Sequence, residues 1–171
     1  NARPVFIYTP LPKDNANQRK IRLLTVHEGA GTEIRCSLDT IPLDEAPPYE
    51  ALSYVWGDPN RTREITLDGK SFQVTTNLAS ALRHRRDRQK PRTLWVDAVC
   101  IDQQNAEERS SQILLMRDVF QRASKVVVWL GESTVASKAA VALIRKVDFG
   151  DGSFWEQKEN QGPVAFSQDA L

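Results

Sequence analysis

The chain has 171 residues, 40% apolar and 26% charged, and its 23 basic and 22 acidic side chains leave a formal charge of +1. That balance suits one ordinary domain and offers no clustered basic excess, which argues against nucleic acid or a membrane surface as the main partner. Cys36 and Cys100 stand far apart with no neighbouring cysteine, so neither a disulfide framework nor a cysteine zinc site is indicated, and no metal is expected. Apolar runs such as residues 126–130 fall far short of the roughly 20 residues of a membrane-spanning helix. The start, Asn1-Ala2-Arg3-Pro4, has no signal-peptide character and no initiating Met, so the expectation is a cytoplasmic piece of a longer chain.

Residues 1–20 combine three prolines with the polar cluster Lys13-Asp14-Asn15-Ala16-Asn17-Gln18 and read as a lead-in arm. Two extended runs follow, 21–26 and 33–38, separated by a turn containing Gly29 and Gly31; Ile34, Cys36 and Leu38 alternate with polar residues, the period of a half-buried strand in a hairpin. Pro42, Pro47 and Pro48 hold a connector extended. Residues 49–56, rich in aromatic and branched side chains, predict a central strand stopped at Gly57-Asp58-Pro59. A second hairpin joins 64–67 to 71–74 through Asp68-Gly69, a strong two-residue turn signal.

Asn77 is the expected cap of a helix with Leu78, Ala81 and Leu82 on its apolar stripe, ending in a solvated basic tract at His84-Arg85-Arg86. Residues 92–96 predict a buried strand. A second helix carries Asn105 as cap, Glu108 as the reciprocal partner of a capping box, and Ile113, Met116, Val119 and Phe120 on one face. Residues 125–130 lack alternation and read as a strand buried on both faces, ended by Gly131; a third helix is expected over 134–147, broken at Gly150-Asp151-Gly152. Residues 21–150 thus form an α/β domain, a mostly parallel sheet flanked by helices with N-terminal and internal β-hairpins added, and 151–171 a polar tail or the start of a further segment.

No dinucleotide fingerprint, P-loop or paired-histidine motif is present, and His27 and His84 fall on unrelated segments. Position therefore guides the search, because ligands of such sheets bind outside the carboxyl ends of the strands. Three segments reach that edge: Ser53 to Asp58, Asp97 to Gln103 with Glu108 and Arg109 beyond, and Gly131-Glu132-Ser133. Asp97, Asp102, Glu50 and Glu108 are the candidate catalytic carboxylates, and Ser53, Trp56, Gly57, Asp58, Gln103 and Arg109 the candidate ligand-binding residues. A structural role is the first expectation for each of these carboxylates, Asp97 and Asp102 capping backbone amides in a tight strand-to-helix loop and Glu108 serving only as the reciprocal partner of Asn105. Trp56, Trp95 and Trp129 all sit in or beside core strands and read as core, with Trp56, beside the Gly57 turn, the best candidate among them for a stacking surface.

Three blocks together resemble the fungal heterokaryon-incompatibility (HET) domain: Tyr49-Glu50-Ala51-Leu52-Ser53-Tyr54-Val55-Trp56-Gly57-Asp58, Leu94-Trp95-Val96-Asp97-Ala98-Val99-Cys100-Ile101-Asp102-Gln103, and Glu108-Arg109 through to Val128-Trp129-Leu130-Gly131. With the upstream strands the likeness spans about residues 21–131. It implies a domain of non-self recognition that triggers growth arrest or cell death, through self-association or an incompatibility partner. The family is in turn similar to TIR domains, which implies a TIR/flavodoxin-like sheet and, since many TIR domains cleave NAD, a second possible activity: hydrolysis of the nicotinamide-ribose bond, with NAD as substrate and no resident cofactor. TIR hydrolases carry their essential glutamate on the helix after the third strand; residues 137–146 contain none, so Glu50 or Glu108 would have to substitute.

Overall fold

The computed structural model describes residues 3–12, 19–132 and 164–166. Strands β1 (Lys20–Val26) and β2 (Arg35–Pro42) form the expected antiparallel hairpin, with Ile21 opposite Ile41 and Val26 opposite Cys36. After β3 (Glu50–Tyr54), strands β4 (Thr62–Leu67) and β5 (Lys70–Thr75) close on Asp68 at φ 49° and Gly69 at φ 74°, the paired positive values of a type I′ turn. The chain continues through α1 (Thr76–Arg85), β6 (Arg92–Trp95), α2 (Asp97–Cys100), α3 (Ala106–Arg122), β7 (Lys125–Trp129) and β8 (Val164–Phe166). The helix expected over 134–147 lies outside the described residues.

All eight strands join one sheet in the order β5-β4-β2-β1-β6-β3-β7-β8. The mostly parallel sheet expected from alternating strands and helices is corrected to a mixed one. Strands β6, β3, β7 and β8 run parallel, but β1 pairs antiparallel with both β2 and β6, and β4 with β5. The physical reason is that the first hairpin inserts through β1 beside β6 instead of decorating an outer edge, while β2 recruits the second hairpin by a short parallel pairing of Arg35 with Thr66.

Around β3 the strand order is β6-β3-β7, and side-chain alternation assigns the helices to its two faces. Glu50 meets Arg85 of α1, and Trp129, in register with Tyr54, packs on His84 with ring centroids 4.9 Å apart and planes tilted by 40°. Tyr49 and Trp95 face the other way, where Tyr49 Oη donates to the Val119 carbonyl and Trp95 packs edge-on against Phe120, both on α3. The core is correspondingly continuous, with Leu24, Leu52, Leu82, Leu94, Trp95, Val99, Val127 and Trp129 all buried.

Several local expectations shift. Thr75, not Asn77, caps α1 by accepting from Leu78 N, which frees the Asn77 amide for other partners. Asn105 does cap α3 through Glu108 N, but the Glu108 carboxylate turns away to Arg22 instead of closing a capping box. The basic tract is not uniformly solvated: Arg85 is buried on Glu50, and Arg86 donates to the carbonyls of Gly31 and Glu33. In β7 only Val127 and Trp129 are buried, and Leu130 beyond it is exposed.

The arm is ordered where described. Val5 bridges Ser71 in parallel, Phe6, Tyr8 and Phe72 meet edge to face, and Tyr8 Oη donates to the Val99 carbonyl.

Candidate functional site

Parallel registers bring the described residues of the three expected segments to one rim, Ser133 lying outside the described residues. Ala51 pairs with Trp95 and Tyr54 with Trp129, so the chain leaves β3, β6 and β7 on the same side of the sheet, at Val55, Val96 and Leu130. Two side chains tie the loops together. Trp56 Nε1 donates to Asp97 Oδ2 at 3.1 Å, and Asn77 donates to the Val55 carbonyl at 2.5 Å while accepting from Trp129 Nε1 at 2.9 Å. Gly57 adopts φ +78°, and a Cβ there would meet Asn77 Cβ at 3.4 Å, so glycine serves both the turn and the close approach.

The candidate carboxylates divide by environment. Asp97 is half-buried at the rim; burial raises its carboxyl above the usual range against the opposing bonds from Trp56 and Ala98 N. The Tyr54 hydroxyl lies buried with no hydrogen-bond partner among the described residues, and its own proton is held more tightly by burial and by the nearby Asp97 charge. Glu108 is different. Burial would raise it, but the Arg22 guanidinium at 2.5 and 3.0 Å and the amides of Asp102 and Leu11 hold it below the usual range. Glu50 receives both Arg85, at 2.8 and 3.1 Å, and Arg92 at 3.2 Å. Asp102 accepts from Gln104 N and Asp58 from Asn60 N, each the bond of a short loop. Gln103 donates to the Asp97 carbonyl and Arg109 to the Gln103 carbonyl, while Ser53 is exposed on β3.

The rim therefore assembles Ser53, Trp56, Gly57, Asp97 and Gln103, with Arg109 behind Gln103. Glu50 and Glu108 are committed to arginine pairs. Among the described residues no group of three or more His, Cys, Asp or Glu could hold a metal ion, and no helix is long and apolar enough to cross a membrane.

A family model described as heterokaryon incompatibility protein (HET) matches residues 49–168, which covers all three rim segments. The chain belongs to the HET family. It is similar to the heterokaryon incompatibility protein 6, OR allele, of Neurospora crassa, at 40% identity over 142 residues, 74% of this chain and 21% of that protein. It is also similar to the vegetative incompatibility protein HET-E-1 of Podospora anserina, at 30% identity over 112 residues, 63% of this chain and 8% of that protein. The matched stretch of this chain thus spans about a fifth of the first relative and less than a tenth of the second. No solved structure matches the chain.

Within the HET domain, sequence reasoning passed over Arg22, Tyr54 and Asn77. An arginine inside the apolar run Ile21-Arg22-Leu23-Leu24 was the available signal for a buried pair, since a charge in a central strand needs a partner. Asn77 had none, because its partners come from β3 and from beyond α1, at Trp129. Cys100, wholly buried beneath the rim, is pushed up to about 12 by burial, which removes it as a nucleophile.

Proposed function

We propose that this HET domain is a cytoplasmic effector of fungal non-self recognition, acting when self-association or an incompatibility partner brings copies together. One observation carries the reading. Val55 and Leu130, 74% exposed each, leave the adjacent strands β3 and β7 side by side at the rim, and Trp56, 44% exposed, follows Val55. Exposed apolar surface of this kind marks interaction sites. The test fuses the chain to an inducible clustering module in a fungal host and scores growth arrest. Wild type should arrest growth on clustering, and the double variant Val55→Ser, Leu130→Ser should not while keeping its melting temperature. Undiminished arrest by the double variant would refute this reading.

Asp97 favours a second reading, TIR-like hydrolysis of NAD in the assembled state. The ribose-nicotinamide bond breaks as neutral nicotinamide departs with the bonding pair, water adds to the ribose carbon, and its proton passes to the Asp97 carboxylate and on to solvent. The exposed Trp56 ring supports it as a stacking surface, and its bond to Asp97 fixes the carboxylate. Clustered protein should then release nicotinamide from NAD, and Asp97→Asn should reduce release by at least about a hundredfold. Absence of release in any clustered state would remove this reading and leave the first intact.

A further inference from the structure

A cleft of about 440 Å³ opens between strand β4 and helix α1, beside the rim, with which it shares Asn77 and Glu132. Arg61 and Arg63 line it from the hairpin side, Arg83 from α1, with the hydroxyl residues Thr76 and Ser80 between them. All three arginines are exposed, and among the described residues none takes part in an ion pair, unlike Arg3, Arg19, Arg22, Arg85, Arg92 and Arg122. Three guanidinium groups share this concavity with the two carboxylates Glu64 and Glu132, a net charge of one positive unit from three cations and two anions, which favours a bound anion.

From this geometry we infer that the β4–α1 cleft binds a diphosphate group, free or carried by a nucleotide. Guanidinium forks match phosphate oxygens two at a time, whereas the hydroxyls of Thr76 and Ser80 already donate to the Arg61 carbonyl and to Glu132. Three cations on facing walls suit two adjacent phosphates better than one. The first turn of α1, at Thr76 and Asn77, adds the positive end of a ten-residue helix. Glu64 lies 3.8 Å from Arg3 of the arm. Glu132 accepts from Ser80 Oγ at 2.6 Å, and that bond, with the fields of His84, Arg83 and Arg63, holds it below the usual range, so a native anion already registers the cleft's positive potential. The volume is in the range of small-molecule sites.

The inference is independent of both readings of the rim, since it needs neither assembly nor bond cleavage. Calorimetric titration of the whole chain with pyrophosphate, ADP, AMP and adenosine tests it. Pyrophosphate and ADP should bind and raise the melting temperature, AMP should bind more weakly, and adenosine should not bind. Equal affinities for pyrophosphate and ADP identify the free diphosphate as the ligand recognised, and tighter ADP binding identifies a nucleotide. Arg63→Gln and Arg83→Gln should each weaken binding by roughly tenfold, Arg63→Lys less, and Arg88→Gln, on exposed surface outside the cleft, not at all. These exposed positions should leave the unliganded melt unchanged. Failure of both diphosphates to bind, or binding indifferent to Arg63 and Arg83, would overturn the inference.

Discussion

Arg22 and Glu108 illustrate how one buried residue pair can decide stability. Their side chains are only 3% and 5% exposed, and Arg22 also donates to the carbonyls of Cys100 and Thr9 and lies 4.9 Å from the Tyr8 ring. Removing one partner leaves the other charge buried, so Arg22→Ala should cost about 3–5 kcal/mol in denaturant unfolding. The depressed Glu108 carboxyl stabilises the fold above its unfolded value of 4.5, and that contribution is lost as pH falls through the lower folded value. Asp97 has the opposite sign: its raised carboxyl opposes folding when ionised, and the penalty disappears as pH drops toward the unfolded 3.8. Asp97→Asn should therefore melt no lower than wild type at neutral pH, although any rim chemistry would be lost; a large destabilisation in thermal melts would contradict this.

At the scale of elements, what could be read depended on how local the cause was. The Asp68-Gly69 hairpin, the Asn105 cap and the strands around 50–54 and 125–129 follow from neighbouring residues, and the structure shows them. The placement of the cap at Thr75 instead of Asn77 was not legible, since either side chain can accept an amide bond and the choice falls to Trp129, which takes the Asn77 oxygen. Glu108 misled for the same reason, its sequence offset fitting a capping box while Arg22, 86 positions earlier, claimed the carboxylate. The turn after β3 offers a direct check. Gly57→Ala places a side chain at φ +78° against Asn77 and should cost about 1–3 kcal/mol, seen as a lowered melting temperature.

For the molecule as a whole, the α/β class and the convergence of three distant segments were legible, because alternating strands and helices imply parallel neighbours with their carboxyl ends together. The antiparallel half was not. Nothing near residues 20–26 announces that β1 will pair with β6 at Leu24 and Leu94, or that β2 will find β4 through Arg35 and Thr66; such long-range ladders leave no short-range trace. The arm, too polar in its second half to suggest order, anchors through Tyr8, Thr9 and Arg22. Deleting residues 1–12 should lower the melting temperature by several degrees, with the Arg22 guanidinium losing its Thr9 acceptor.

The position of β1, between β2 and β6, bears on how this domain can be handled. The family match starts at residue 49, yet the strands that fill the middle of the sheet precede it. Cutting there would strip β6 of one neighbour and orphan the second hairpin, leaving a raw seam of unsatisfied amides and carbonyls where a keystone had been. Preparations trimmed to that boundary should precipitate or form mixed aggregates, whereas those beginning before residue 20 stay monodisperse.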